Sequence, residues 1–420
     1  MATELASQKL TMKSPDFLCQ VRELRKTNNL TGWLYLAREY LLLAIVLGLP
    51  LAFYHWLAVS GHSWLWAIPV TLIAMYFVGA CQHRLVTLTH EAAHYMLFRN
   101  RLLNELVSEW FCMYPVLGTT HKYRVQHLGH HQFPNDPERD TDFVQLAASG
   151  HKMEFPMSRS QFLWECVIKQ MIWLPSPIRY ALVRATFDGS NKNGPYRRLG
   201  ERHPHLTLIT IIFLIGLIGG MIALANTGQL MWLAMFPALM LAGILTIYGI
   251  LPNRYYTHYL IKSDLSPKFQ VCLRVTYYVL LISTLTWLTV ITHEPWWLYY
   301  FVLWISPLGT TFSFFMILRQ LVQHGNADQG RYSNTRVFHV AWPIAASVFP
   351  IGNDYHLPHH LFPMVPHYNL KKLHALLMQT EEYQQEAIVT DGYFFHSEEP
   401  PVHPTVVELM TEEQGKIDPN

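Results

Sequence analysis

The chain has 420 residues, of which 51% are hydrophobic and 14% charged, with a formal net charge of +2 and a mean hydropathy of +0.13. Soluble domains carry about 25% charged residues, so the deficit points to membrane spans, and the small charge without a long basic run excludes nucleic acid as a partner. Cys19, Cys81, Cys112, Cys166 and Cys272 are odd in number and scattered, with no C-x-x-C pair, which argues against a disulfide framework or a thiolate metal site.

Residues 1–38 are mostly polar and carry Lys9, Lys13, Arg22, Arg25 and Lys26, which is not the pattern of a cleavable signal peptide. They read as a cytoplasmic N-terminal segment. A bilayer-crossing helix takes roughly 20 mostly apolar residues. Residues 39–61 meet that condition, and residues 64–86 meet it again before running into His90-Glu-Ala-Ala-His94. The apolar run 102–117, with Arg101 and Glu105 at its start, is a poor span and reads as a re-entrant or interfacial helix. A polar stretch, 120–200, holds His127-Leu-Gly-His130-His131. Four further spans are expected at 206–226, 229–251, 271–293 and 296–318, with Gln320 and His324 just beyond the last. A second short apolar run, 337–351, reads like the first and precedes His356-Leu-Pro-His359-His360. Residues 381–420 are acidic, with Glu398, Glu399, Glu412 and Glu413 against Lys416, and read as a flexible solvated tail.

Charge tests this topology independently. With six crossings, one side of the membrane holds Arg22, Arg25, Lys26, Arg38, Arg179, Arg184, Arg197, Arg198, Arg202, Arg254, Lys262 and Lys268. The short loops on the other side, 60–63, 226–228 and 293–295, hold no Lys or Arg. The positive-inside bias places the polar segments in the cytoplasm. Two spans precede the first two histidine clusters and four more precede the third, so all three reach that cytoplasmic face.

On a helix, positions i, i+3 and i+4 share a face. Each cluster therefore gathers its imidazoles, and eight imidazoles are more than one metal ion can use. Neutral imidazole suits zinc, iron, copper and nickel. His324, with Gln320 one turn before it, can face the same site. Ligating imidazoles usually donate their other N–H to a carboxylate or carbonyl, which makes Glu91, Asp136, Asp140, Asp142 and Asp354 candidate supports. His55, His62, His151, His258, His293, His396 and His403 stand alone and read as ordinary hydrogen-bonded histidines. His90-Glu91-Ala-Ala-His94 also matches the H-E-x-x-H zinc-protease pattern, but one zinc would leave both H-x-x-H-H clusters unexplained. A metal transporter would place its ligands near the middle of the spans, not at their ends.

An H-x-x-x-H box followed by two H-x-x-H-H boxes between hydrophobic hairpins resembles the integral-membrane fatty acid desaturases, over residues 41–377. The resemblance implies an all-α integral membrane protein with about four to six transmembrane helices and a cytoplasmic helical cap, in a membrane domain of residues 39–380. It implies a di-iron centre with dioxygen as co-substrate, held by His90, His94, His127, His130, His131, His324, His356, His359 and His360, with Gln320 able to hold a metal through water. The implied reaction removes two hydrogens from neighbouring methylenes of a lipid acyl chain. Relatives that carry a fused b-type cytochrome have an H-P-G-G motif. This chain has His203-Pro204 without it, so electrons are expected from a separate donor, a ferredoxin or a b-type cytochrome with its reductase. The third box begins with His356 rather than the Gln of some regioselective relatives. The same boxes occur in di-iron lipid or carotenoid hydroxylases and ketolases, which stand as the alternative.

Overall fold

The computed structural model describes residues 10–187, 196, 198–199, 204–397 and 400–412. Lys9, Arg197, Arg202, His203, Glu398, Glu399, Glu413 and Lys416 lie outside the described residues. Within them the chain is almost entirely helical, with two short two-stranded sheets. Six helices are long and apolar enough to cross a bilayer: α1 (Thr31–Ser60), α2 (Trp64–Ala93), α3 (Pro204–Thr227), α4 (Leu230–Ile250), α5 (Pro267–Thr292) and α6 (Trp296–His324). The architecture is that of an all-α membrane protein. Ile211, Ile212, Ile215 and Leu239 stay exposed on the outer helices, as residues facing lipid tails should.

The hairpins follow from local chemistry. Gly61 ends α1 at φ 71°, a left-handed conformation that suits glycine. The Ser63 side chain then accepts from the Leu65 N–H and starts the return into α2. The first crossing begins at Thr31, earlier than residue 39, because Glu39 does not end the helix. Its buried carboxylate accepts from Arg84 Nε at 2.5 Å and Nη2 at 2.8 Å, and from Arg38 Nη2 at 2.6 Å. A buried carboxylate needs such partners to remain charged.

α2 and α6 both run toward the histidine clusters, and they cross closely. A Cβ on Gly79 would stand 2.2 Å from Thr311 Oγ1 and 2.7 Å from the Phe312 nitrogen. The Thr311 hydroxyl donates to the Met75 carbonyl at 2.6 Å across that contact. α6 is interrupted there: a π-turn at Phe301–Ile305 and Pro307 precede Thr310, at φ −129° and ψ −96°, before the helix resumes at Thr311. The last stretch, Thr311–His324, is buried almost throughout.

The run 102–117 forms the helix Arg101–Val107 and a π-turn Ser108–Met113 that packs against α2, with Leu102 and Phe111 exposed. Two expectations change. The run 337–351 is not one helix: Arg336–His339 form strand β1 and Trp342–Ser347 a short helix. The flexible tail expected from residue 381 is folded through its described residues. Ile388–Asp391 form β2, which pairs in parallel with β1, and Tyr383, Val406, Val407 and Met410 are buried. The acidic composition of this segment hid an apolar pattern that docks. Likewise Pro15–Leu24 in the N-terminal segment is a helix whose Phe17 and Val21 are buried near the helix His367–Leu377.

Gly79→Ala should destabilise the protein by about 1–3 kcal/mol through overpacking at the α2–α6 crossing. The measurement is the melting temperature in detergent, and an unchanged value would contradict the close crossing.

Candidate metal centre

The histidine clusters sit at the ends of the two converging spans and on two short helices laid over them. His90 lies in the last turn of α2 and His94 caps it. His324 ends α6. The helix Thr120–Gln132 carries His127, His130 and His131, and the helix His356–Leu361 carries the third box. All nine expected histidines come together, in two groups whose ligand atoms lie within 4.8 Å of one another: His90, His94, His127, His131 and His359, and His130, His324, His356 and His360.

The two H-x-x-H-H boxes do not each serve one spot. At ~100° per residue, positions i and i+4 differ by about 40°, whereas i+3 points about 100° away from i+4. His127 and His131 therefore join the first group while His130 joins the second; His356 and His360 join the second while His359 joins the first. The boxes exchange their middle ligand. His90 and His94, spaced i and i+4 on α2, complete the first group. His324 completes the second, with Gln320 one turn before it.

The nitrogen spacings test whether these groups suit metal ions. His94 and His127 Nε2 are 2.8 Å apart, His127 and His131 3.0 Å, and His131 and His359 2.9 Å. In the second group, His130 and His324 Nε2 are 3.1 Å apart, His324 and His356 2.9 Å, and His356 and His360 3.2 Å. Each imidazole nitrogen offers one hydrogen or one lone pair, so a nitrogen facing two others, as in His127, His131, His324 and His356, cannot satisfy both. Nitrogens about 2.1 Å from a shared ion lie roughly 3 Å apart along a polyhedron edge. His90 is buried with neither ring nitrogen hydrogen-bonded among the described residues. The set fits two metal ions held by nitrogen, with no thiolate or carboxylate in either group.

Electrostatics agree. Burial, with neighbouring imidazoles, holds His94 down at about 3 and pulls His127, His131, His356, His359 and His360 well below the usual imidazole range. These rings are neutral at pH 7, the state that ligates. His130 differs. Burial pushes it down, but the Asp140 and Asp142 carboxylates outweigh that and hold it up at about 9.

The candidate supports separate clearly. Asp140 accepts from His130 Nδ1 at 2.8 Å, so His130 keeps Nε2 for the site. Asp140 is itself fixed by the backbone N–H groups of Asn135 and Asp142, both at 2.9 Å. His324 Nδ1 donates to the Asn334 carbonyl at 3.0 Å. Glu91 Oε1 lies 3.5 Å from His90 Nδ1, and its Oε2 accepts from the N–H and Nδ1 of His367 at 2.9 and 3.0 Å. Asp142 accepts from Gln126, not from a histidine. Asp136 pairs with Arg139. The Asp354 side chain has no histidine partner among the described residues, and burial pushes its carboxyl up to about 6. The Gln320 Oε1 accepts from the buried Tyr180 hydroxyl at 2.5 Å. His367 and Tyr180 were not legible: each stands alone in the sequence, without a partner at helical spacing.

A cavity of about 30 Å³ touches both groups, lined by His90, His127, His130 and His356 together with Tyr123, Gln126 and Gln320. Two roughly water-sized molecules or one small group fill such a space.

A protein-family model described as fatty acid desaturase matches residues 70–273 and 253–391, which include all nine histidines. The chain is also similar to a dihydrorhizobitoxine desaturase of Bradyrhizobium elkanii, 32% identical over 157 residues, which are 37% of this chain. The match spans 39% of that relative's length.

Asp140→Asn should weaken metal binding roughly ten- to hundred-fold, because the neutral amide raises the basicity of His130 Nε2 less and fixes the Nδ1–H tautomer less well. Metal retained after dialysis against a graded chelator measures this, and retention equal to the parent would remove Asp140 from the centre.

Proposed function

The chain belongs to the fatty acid desaturase family, and on that footing we propose that it is an oxygen-dependent, di-iron desaturase of an acyl substrate. The observation that carries this reading is the convergence of nine histidines into a group of five and a group of four. Irons bound there supply dioxygen activation and the oxidising power that an unactivated C–H bond requires.

The chain's own residues have four tasks. His90, His94, His127, His131 and His359 hold one ion, and His130, His324, His356 and His360 the other. Asp140 and the Asn334 carbonyl orient His130 and His324 from behind, while the Glu91 carboxylate lies 3.5 Å from His90 Nδ1 without a hydrogen bond to it. Gln320, fixed by Tyr180, completes the second position through water. The cavity beside the ligands admits the end of the substrate that comes nearest the ions. Because the rings are anchored in helix ends rather than mobile loops, they need little reorganisation when the reaction occurs.

The electron balance sets the partner. Removing two hydrogens from neighbouring carbons supplies two electrons, and reducing dioxygen to two waters takes four. The other two come from a separate donor, a ferredoxin or a b-type cytochrome with its reductase. The bias of Lys and Arg supports a cytoplasmic side for the ligand-bearing ends of α2 and α6, where such donors reside. Glu91 supports the oxidative reading over the H-E-x-x-H hydrolase: its carboxylate is engaged with His367 behind His90, not free to serve as a base.

The purified protein should hold about two irons per chain, and its expression in a host without the activity should yield an unsaturated lipid product. His130→Ala and His360→Ala should each abolish that product and lower bound iron. A single zinc per chain, or full activity in either variant, would overturn the proposal. His324→Ala should behave in the same way; normal iron and turnover would remove it from the ligand set.

A further inference from the structure

The cavity that touches both imidazole groups has an unexpected wall. A mid-chain pair of methylenes calls for an apolar slot. Here Arg319, Arg184, Asp142 and Gln126 face the same small space as His90 and His130. Arg319 is buried, and its Nε has no hydrogen-bond partner among the described residues. Its charge lies by the Tyr123 hydroxyl. Arg184 packs its guanidinium 4.9 Å from the centre of the Phe312 ring. No carboxylate pairs with either guanidinium among the described residues. Asp142, the one carboxylate in the wall, accepts from Gln126 at 3.1 Å. Two cations against one anion leave a surplus positive charge in a space that holds little water. An unmatched buried charge is costly unless an anion arrives to meet it.

The cavity also has an approach of the opposite character. A pocket of about 260 Å³, walled by Val116, Ile178, Leu308 and Phe312, shares Tyr123, Gln126 and Arg184 with it. That volume lies below the ~300–1,000 Å³ usual for ligand pockets. An apolar entrance leading to a cationic end describes an amphipathic acid: the tail fills the entrance and the head meets the arginines.

We propose that the substrate is a short-tailed compound with a free carboxylate, bound head-first, so that Arg319 and Arg184 hold the carboxylate and the carbons oxidised lie within a few bonds of it. The proposal rests on the desaturase reading and narrows its substrate class. Guanidinium suits this task because its planar fork matches a carboxylate in two hydrogen bonds. A long acyl chain esterified to a lipid would bring neither the charge nor the size that the cavity and its entrance match. The arginines thereby serve as positioning residues, setting which carbons stand nearest His90, His127, His130 and His356.

The test is equilibrium binding of octanoate and of its neutral methyl ester to the iron-loaded protein in nanodiscs. Octanoate should bind at least about ten-fold more tightly than the ester. Arg319→Gln and Arg184→Gln should each weaken octanoate about ten- to hundred-fold, leaving ester binding and iron content unchanged. Arg319→Lys, which keeps the charge and loses the fork, should retain part of the preference. Equal binding of acid and ester by the parent protein, or an undiminished preference in both Gln variants, would overturn the proposal. A parent protein with its irons that desaturates long acyl esters and ignores octanoate would also overturn it, while leaving the desaturase reading intact. A parent protein without iron would instead remove the desaturase reading.

Discussion

Nine imidazoles packed into a dry interior constrain everything around them. Four of the Nε2 atoms each face two others at 2.8–3.2 Å, and a ring nitrogen can serve one neighbour, not two. Metal ions bound there would relieve that conflict. Without them the site would be a concentration of buried polar groups that its own hydrogen bonds cannot satisfy, a costly arrangement at low dielectric. The remainder of the fold can be understood as the means of bringing these rings to one place.

Membrane helices suit that purpose because their direction is set by parity. α2 and α6 are the second and sixth long apolar helices, so both end on the same side and deliver His90 and His324 to the same level. Gly79 lets them approach at backbone distance, and the interruption of α6 near Thr310 redirects its final turns into the interior. The short box helices then close over the two ends. A β1–β2 pairing and the buried Tyr383 and Met410 tie the C-terminal segment to this cap, so the segment has a structural part in covering the centre.

Charge around the centre is unevenly distributed. Asp140 and Glu91 stand behind His130 and His90, where an anion would raise the basicity of a ligand. Arg319 and Arg184 stand in front, in the wall of the cavity. Anions behind the ligands and cations toward the substrate would draw an acid in without competing for the ligand nitrogens. This polarity distinguishes the site from a purely apolar slot on the same scaffold.

The sequence by itself marked the nine histidines that come together and the apolar runs that form the six long helices. The i, i+3 and i+4 spacing and the length of apolar runs are local properties, expressed by any helix with those residues. It also suggested Asp140, since an acid near a His box is a local signal, although Asp142, Asp136 and Asp354 carried the same signal and have different contacts. Only the tertiary structure decided how the rings divide into five and four, because the contact of His131 with His359 joins residues 228 positions apart. It alone paired Glu91 with His367, docked the acidic tail through β2, and turned Arg184 and Arg319 into one cavity. Those outcomes depend on which surfaces meet when helices pack, and helix periodicity is silent about the partner it will meet.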